Sequence, residues 1–160
     1  MPTLVLVRHA QAAYSYPDHS RPLTDAGLDQ AARLGGAVAR DVGGFDVAVC
    51  SDATRARETF GQISQRVRVR DGWFDRSVYN ADEEGILTLA RTFEGERALI
   101  VGHEPTMSGV GYVLAREDSR GEVARGVPTA TALILTFDGT WEDLSPGSAA
   151  LRLILTPPTR

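Results

Sequence analysis

Two histidines and several arginines stand where short apolar runs give out. Leu4-Val5-Leu6-Val7 is followed at once by Arg8-His9, Val47-Ala48-Val49-Cys50 by Ser51 and then Arg55 and Arg57, and Ala98-Leu99-Ile100-Val101 by Gly102-His103-Glu104. These residue types suit phosphoryl transfer, which asks a protein mainly for an in-line nucleophile and fixed positive charge around the phosphate oxygens. A neutral imidazole attacks phosphorus to give a phosphohistidine, and guanidinium forks bind phosphate oxygens bidentately. That chemistry calls for a phosphorylated substrate and for no metal or cofactor.

The elements that must position these groups are legible in the pattern. The three apolar runs are continuous rather than alternating, as in strands buried on both faces. Thr24 is placed to N-cap a helix whose stripe is Leu28, Ala31, Ala32, Leu34 and Val38, with Gly43-Gly44 to end it. A second helix is expected from about Ala53 to Ile63. A third is expected through Ile86, Leu87, Leu89, Ala90 and Phe93, opened by Glu83 and Glu84 where acids favour the helix dipole. A fourth follows Pro105, with Met107, Val110 and Leu114 inward. Ala132 to Phe137 and Leu151 to Leu155 read as two further strands, with a turn at Asp138-Gly139 and Trp141 in the core. The βαβα alternation predicts an α/β fold: a three-layer αβα sandwich with a mainly parallel central sheet, as a single domain over 1–160. In such sheets ligands collect beyond the carboxyl ends of the strands, where these histidines and arginines fall.

Composition narrows the class of protein. With 42% hydrophobic and 24% charged residues among 160, the chain has enough apolar material for one core. All 17 basic residues are arginine, yet the net charge is -4, which argues against a general nucleic-acid binder because no basic excess is available to displace counterions. Cys50 is the single cysteine, so neither an internal disulfide nor a cysteine-rich zinc site is expected. The N-terminal apolar run is too short for a signal segment and meets Arg8 at once, so the expectation is a cytoplasmic protein without membrane attachment.

Four segments in succession resemble the signatures of the histidine phosphatase superfamily: Leu6-Val7-Arg8-His9-Ala10, Arg21-Pro22-Leu23-Thr24-Asp25-Ala26-Gly27, Ser51-Asp52-Ala53-Thr54-Arg55-Ala56-Arg57-Glu58-Thr59, and Val101-Gly102-His103-Glu104-Pro105. The short chain, the Arg-Pro-Leu-Thr segment and Tyr79-Asn80-Ala81 make it most similar to the SixA-like phosphohistidine phosphatase branch, which also uses alanine where others of the superfamily have glycine at Ala10. The resemblance implies a phosphoglycerate mutase-like fold, His9 as the phosphorylated nucleophile, and Arg8, Arg55 and His103 as the rest of a phosphate pocket. It also implies that Arg21 contacts substrate and that the substrate is a phosphohistidine protein.

Many members of the superfamily take a proton donor from a glutamate in mid-chain, and no such motif stands here. Asp75 in Trp73-Phe74-Asp75-Arg76 is the nearest candidate. A protonated imidazole leaves phosphorus more easily than an alkoxide does, so the missing glutamate favours an N-phosphoryl substrate. Other residues have plainer readings. Arg57 is expected in a solvent-exposed ion pair, and His19 as a solvated loop histidine. Cys50 is expected as a buried inert thiol, because its spacing to Arg55 is one residue too short, and to Arg57 one too long, for the loop of cysteine-dependent phosphatases. Two rivals remain: a small-metabolite phosphomonoesterase or phosphomutase using the same pocket, and a phosphate-binding regulatory module without turnover.

Overall fold

The most continuously hydrophobic segments lie at the centre of the sheet. In the computed structural model, which describes residues 1–159, β1 (Thr3–Arg8), β2 (Phe45–Ser51), β3 (Val69–Asp75), β4 (Arg97–Gly102), β5 (Ala132–Thr136) and β6 (Ala150–Ile154) form one sheet in the order β3-β2-β4-β1-β5-β6. The first four strands run parallel; β5 is antiparallel to β1, and β6 to β5. Leu4 to Val7 and Ala98 to Val101 are wholly buried in adjacent central strands, which is why their runs show no polar alternation.

Helices cover both faces. α1 (Asp25–Asp41) and α2 (Thr54–Ser64) bury Ala31, Leu34, Val38, Ala56 and Ile63 against one face, while α3 (Arg76–Asn80), α4 (Glu83–Ala90) and α5 (Thr106–Leu114) bury Val78, Ile86, Leu87, Met107, Val110 and Leu114 against the other. The result is the expected three-layer α/β sandwich. Thr24 caps α1 by accepting from the Gly27 N–H, and Asp82 caps α4 from Gly85 N, with Glu83 and Glu84 in its first turn. Gly43, at φ 92, takes the left-handed conformation just past α1. Trp141 is in the core, its indole N–H on the Gly95 carbonyl at 2.8 Å and its ring edge-on to Phe93 and Phe137.

Three details depart from the pattern. α4 stops at Ala90, so Phe93 reaches the core from the turn beyond it. The Asp138-Gly139 turn does not lead straight into β6, which starts only at Ala150. β3 and α3 carry no clear signal of their own: β3 is an edge strand exposed along most of its length, held by its one neighbour β2, so its sequence has no need of a buried run. Among the described residues no helix is long and apolar enough to cross a membrane.

The register brings the carboxyl ends of the parallel strands level. Arg8 pairs with Gly102, Cys50 with Val101, and Ser51 with Asp75. The loops that carry His9, Arg55 and His103 therefore leave the sheet along one edge.

Candidate active site

His9 follows the last residue of β1 and continues its pairing, donating its backbone N–H to the Gly102 carbonyl at 3.1 Å. Its backbone is held from the other side by Ala130, whose N–H lies 3.1 Å from the Arg8 carbonyl and 3.0 Å from that of His9. Ala130 adopts φ 53, a left-handed conformation that costs an L residue about 1–2 kcal/mol, and it does so under the nucleophile candidate. One residue on, Ala10 N–H donates to Thr59 Oγ1 at 2.9 Å, and the Thr59 hydroxyl donates to the Arg55 carbonyl at 2.8 Å. The buried Thr59 thus joins the loop after β1 to the first turn of α2, where Arg55 stands.

Hydrogen bonds fix the imidazole tautomer. His9 Nδ1 lies 2.7 Å from the Ala10 carbonyl, which can only accept, so Nδ1 carries the proton. Arg55 Nε–H points at His9 Nε2 from 3.3 Å, so Nε2 presents a lone pair. Burial is the main reason that the His9 pKa is lowered to about 3; the Ala10 carbonyl opposes this, while His103, Arg55 and Arg8 add to it. His9 is therefore neutral at ordinary pH, with its unprotonated nitrogen facing a guanidinium.

His103, at the end of β4, stands with its ring centre 5.3 Å from that of His9. Its Nε2 is 2.7 Å from Ser51 Oγ at the end of β2. Its pKa is lowered to about 4, first by burial and then by Arg55. Arg8 anchors one arm on the Val127 carbonyl at 2.8 Å, and Glu104 holds that segment by accepting from Val127 N–H at 3.1 Å. Arg8 Nε and His103 Nδ1 are buried without a hydrogen-bond partner among the described residues. Arg8, His9, Arg21, Arg55, His103 and Tyr14 line one open cleft of about 690 Å³. Neutral nitrogen, guanidinium N–H groups and the unpaired buried Arg8 Nε–H together make an anion site with a nucleophile at its floor.

The sequence-level candidates sort clearly. His9, Arg8, Arg55 and His103 come together, and Arg21 joins them at the rim, its Nε on the Ala13 carbonyl at 2.9 Å. Asp75 does not line the cleft. It caps α3 instead, accepting from Ser77 N–H at 2.8 Å, and the Ser77 hydrogen bonds hold its carboxyl below the ordinary range, the reverse of what a proton donor needs. Arg57 has no acid partner among the described residues; it donates to the Asp52 carbonyl at 2.9 Å and lies over the Phe74 ring. His19 is tied down, with Nε2 2.7 Å from Asp52 Oδ1 and its ring edge-on to Tyr79. Burial pushes the Cys50 thiol well above its usual range, consistent with an inert side chain. Among the described residues no three His, Cys, Asp or Glu side chains are grouped to hold a metal ion.

One residue near the pocket gave no sequence signal. Asp18 opens a short 3-10 turn, Asp18–Ser20, and bonds to Arg55, Arg21 and Tyr79. Tyr79, in the Tyr79-Asn80-Ala81 segment, packs its ring edge-on to His103. The Arg21–Gly27 motif, by contrast, explains itself physically. Thr24 N–H bonds to the Gln11 carbonyl at 3.0 Å, and a Cβ on Gly27 would run into that same oxygen, so only glycine lets α1 approach the loop after His9.

Comparison with known proteins agrees with this geometry. The family model of the histidine phosphatase superfamily (branch 1) matches residues 4–78. An uncharacterised protein of Mycobacterium tuberculosis is 32% identical over 154 residues, covering 91% of this chain and 96% of its own. The structure of a Nakamurella multipartitia protein provisionally assigned as the phosphohistidine phosphatase SixA superposes with a TM-score of 0.84 at 30% identity, covering 99% of this chain and 97% of that one. A protein of Agrobacterium tumefaciens with the same provisional assignment gives 0.78 at 29% identity, over 86% and 93%. By its matched segments, its fold and its full-length relatives, the chain belongs to the histidine phosphatase superfamily, in the SixA-like branch, and is a phosphatase.

Proposed function

We propose that the protein hydrolyses phosphohistidine on a protein substrate through a phosphohistidine intermediate on His9. The observation that carries this reading is the tautomer of His9: Nδ1–H held by the Ala10 carbonyl and Nε2 unprotonated at the floor of the arginine-lined cleft. In the first step the Nε2 lone pair forms the N–P bond while the bond from phosphorus to the leaving nitrogen breaks, its electron pair going to the departing imidazole. The incoming phosphoryl oxygen displaces Nε2 as the acceptor of the Arg55 N–H, and Arg8, Arg55 and His103 share the charge. In the second step water attacks phosphorus as the N–P bond breaks, its electron pair returning to Nε2, and the departing phosphate keeps the oxygen and protons of the water.

The choice of an N-phosphoryl substrate follows from the acids available. His103 is neutral at ordinary pH, Asp75 is ionised and outside the cleft, and Glu104, which lines the cleft, has both carboxylate oxygens committed to Ser108 and the Val127 N–H. A leaving imidazole, which departs readily in its protonated form, depends least on a strong general acid.

Incubation of the protein with labelled phosphohistidine and with p-nitrophenyl phosphate, quenched at alkaline pH to preserve a phosphoramidate, tests the proposal. The expected result is label on His9, none in His9→Ala, and faster turnover of phosphohistidine than of the ester. Release of p-nitrophenol faster than of phosphohistidine would favour a small-ester phosphatase instead. No release from either would leave a phosphate-binding module.

A further inference from the structure

Arg55, the buried arginine of the pocket, has its guanidinium gripped by a carboxylate that comes from a segment with no motif. Arg55 is buried, with 8% of its side chain exposed, whereas Asp18 is 52% exposed. The Asp18 carbonyl accepts from Arg55 Nη1 at 2.8 Å and Asp18 Oδ2 from Nη2 at 3.1 Å. These two bonds engage one N–H of each terminal nitrogen, while Nε–H is aimed at His9 Nε2. We propose that Asp18 is a positioning residue for the reaction, holding the Arg55 guanidinium by its far nitrogens so that its Nε side faces the phosphoryl group on His9.

The grip is rigid because Asp18 is itself clamped. Its Oδ2 accepts from the Tyr79 hydroxyl at 2.6 Å and its Oδ1 from Arg21 Nη1 at 3.2 Å. Arg21 N–H donates back to the Asp18 carbonyl at 3.1 Å, and the neighbouring His19 is bonded to Asp52 at 2.7 Å. The turn is thereby fixed to α2, α3 and the loop between β2 and α2. With Tyr79, Arg21 and Arg55 all donating to it, in that order of effect, Asp18 stays ionised far below the usual carboxylate range, which rules it out as a proton donor.

An exposed ion pair contributes little, so the alternative is that Asp18 and Arg55 make an unimportant surface contact. Burial of the arginine decides against that. A long side chain with several rotatable bonds must be held in one rotamer to place a fixed fork, and removing the partner of a buried charge leaves its N–H groups unmatched. A guanidinium free to turn by a small angle no longer meets the oxygen at the reacting centre, and a misplacement of about 1 Å costs on the order of a hundredfold in rate.

The proposal rests on Arg55 acting on phosphate, and a double-mutant cycle separates the two claims. Asp18→Ala should lower kcat/KM roughly tenfold to a hundredfold, equally on p-nitrophenyl phosphate and phosphohistidine, and should raise the inhibition constant of inorganic phosphate about tenfold. In an Arg55→Ala background the same change should do almost nothing. Tyr79→Phe, which deletes only the hydroxyl donated to Asp18, should show a smaller loss of the same kind, and it carries the test if Asp18→Ala does not fold. An Asp18→Ala loss that is as large without Arg55 as with it overturns the positioning role. An Arg55→Ala protein with full activity overturns the reading of the pocket itself.

Discussion

The floor of the cleft and its rim are built on opposite terms. At the floor, His9 is 8% exposed, and both its ring nitrogens, its backbone and the N–H of the next residue are matched to named partners in its own loop, β4, α2 and the segment before β5. At the rim, a few residues along the same loop, Tyr14 is 97% exposed and Tyr16 96%. One end of the loop is thus specified by the folded core, and the other is left to be covered by whatever enters. The difference teaches that this fold commits its hydrogen bonds to placing the His9 imidazole and leaves the rim as an exposed surface with few ties to the core. Changes at the floor should then affect every substrate alike, and changes at the rim should discriminate among substrates.

The largest effect tests the floor. His9→Ala should cut turnover by about a thousandfold or more on any phosphorylated substrate, while leaving inorganic phosphate able to bind to Arg8 and Arg55. Turnover surviving at near wild-type rate on even one substrate would remove His9 from the centre of the comparison. Next in size is Thr59→Val. It keeps the shape but leaves the buried Ala10 N–H without an acceptor, so stability should fall by about 1–3 kcal/mol in denaturant titrations and kcat should fall with it. Loss of stability without loss of kcat would show that the link from the loop to α2 supports the fold alone.

Acid should weaken the floor selectively. The folded pKa values of His9 and His103, about 3 and about 4, lie below the ordinary 6.5 because the rings are buried. Below pH 6.5 the unfolded chain takes up protons that the native site refuses, so stability is lost as pH falls through that window, by up to about 1.4 kcal/mol per pH unit for each ring. Denaturant midpoints between pH 7 and pH 4.5 should fall more steeply for wild type than for His9→Ala. Equal slopes would show that His9 is not held neutral. The same depression keeps the nucleophile unprotonated, so kcat/KM, corrected for ionisation of the substrate, should show no acid limb near pH 6.5.

How much of this was legible in the sequence follows the same division. Runs such as Leu4 to Val7 announce their strands because they are buried on both sides, and a histidine or arginine directly behind such a run has its position fixed by the strand. That is why His9, Arg8 and His103 were readable, and why Arg55 was, one turn into a helix that starts behind β2. Asp18 was not, because its role depends on how an irregular turn lies against α2 and α3, and no periodicity records that. β3 escaped because an edge strand takes its order from its neighbour rather than from its own residues. Asp75 was misplaced for a related reason: at the end of an unrecognised strand, an aspartate suits a helix cap as well as an acid, and only the chain path through α3 decides between them.

The smallest expected effect sharpens the comparison most. Tyr14 lines the cleft, and the Arg21 guanidinium sits over its ring at 5.3 Å, whereas Tyr16 is outside the cleft. A small ester seated on His9 can touch Tyr14, which lines the cleft, and not Tyr16, which does not. A folded protein presenting a phosphohistidine can cover both, and tyrosine supplies contact area at low entropic cost. Tyr16→Ala should therefore leave kcat and KM on p-nitrophenyl phosphate unchanged, and should raise KM on a phosphohistidine protein by about threefold to tenfold, the size of one interface side chain worth about 1 kcal/mol. Tyr14→Ala should affect both substrates, the protein more than the ester. If Tyr16→Ala leaves the KM for the protein unchanged, the rim is not a docking surface, and selectivity must then reside in the same buried groups that perform the chemistry.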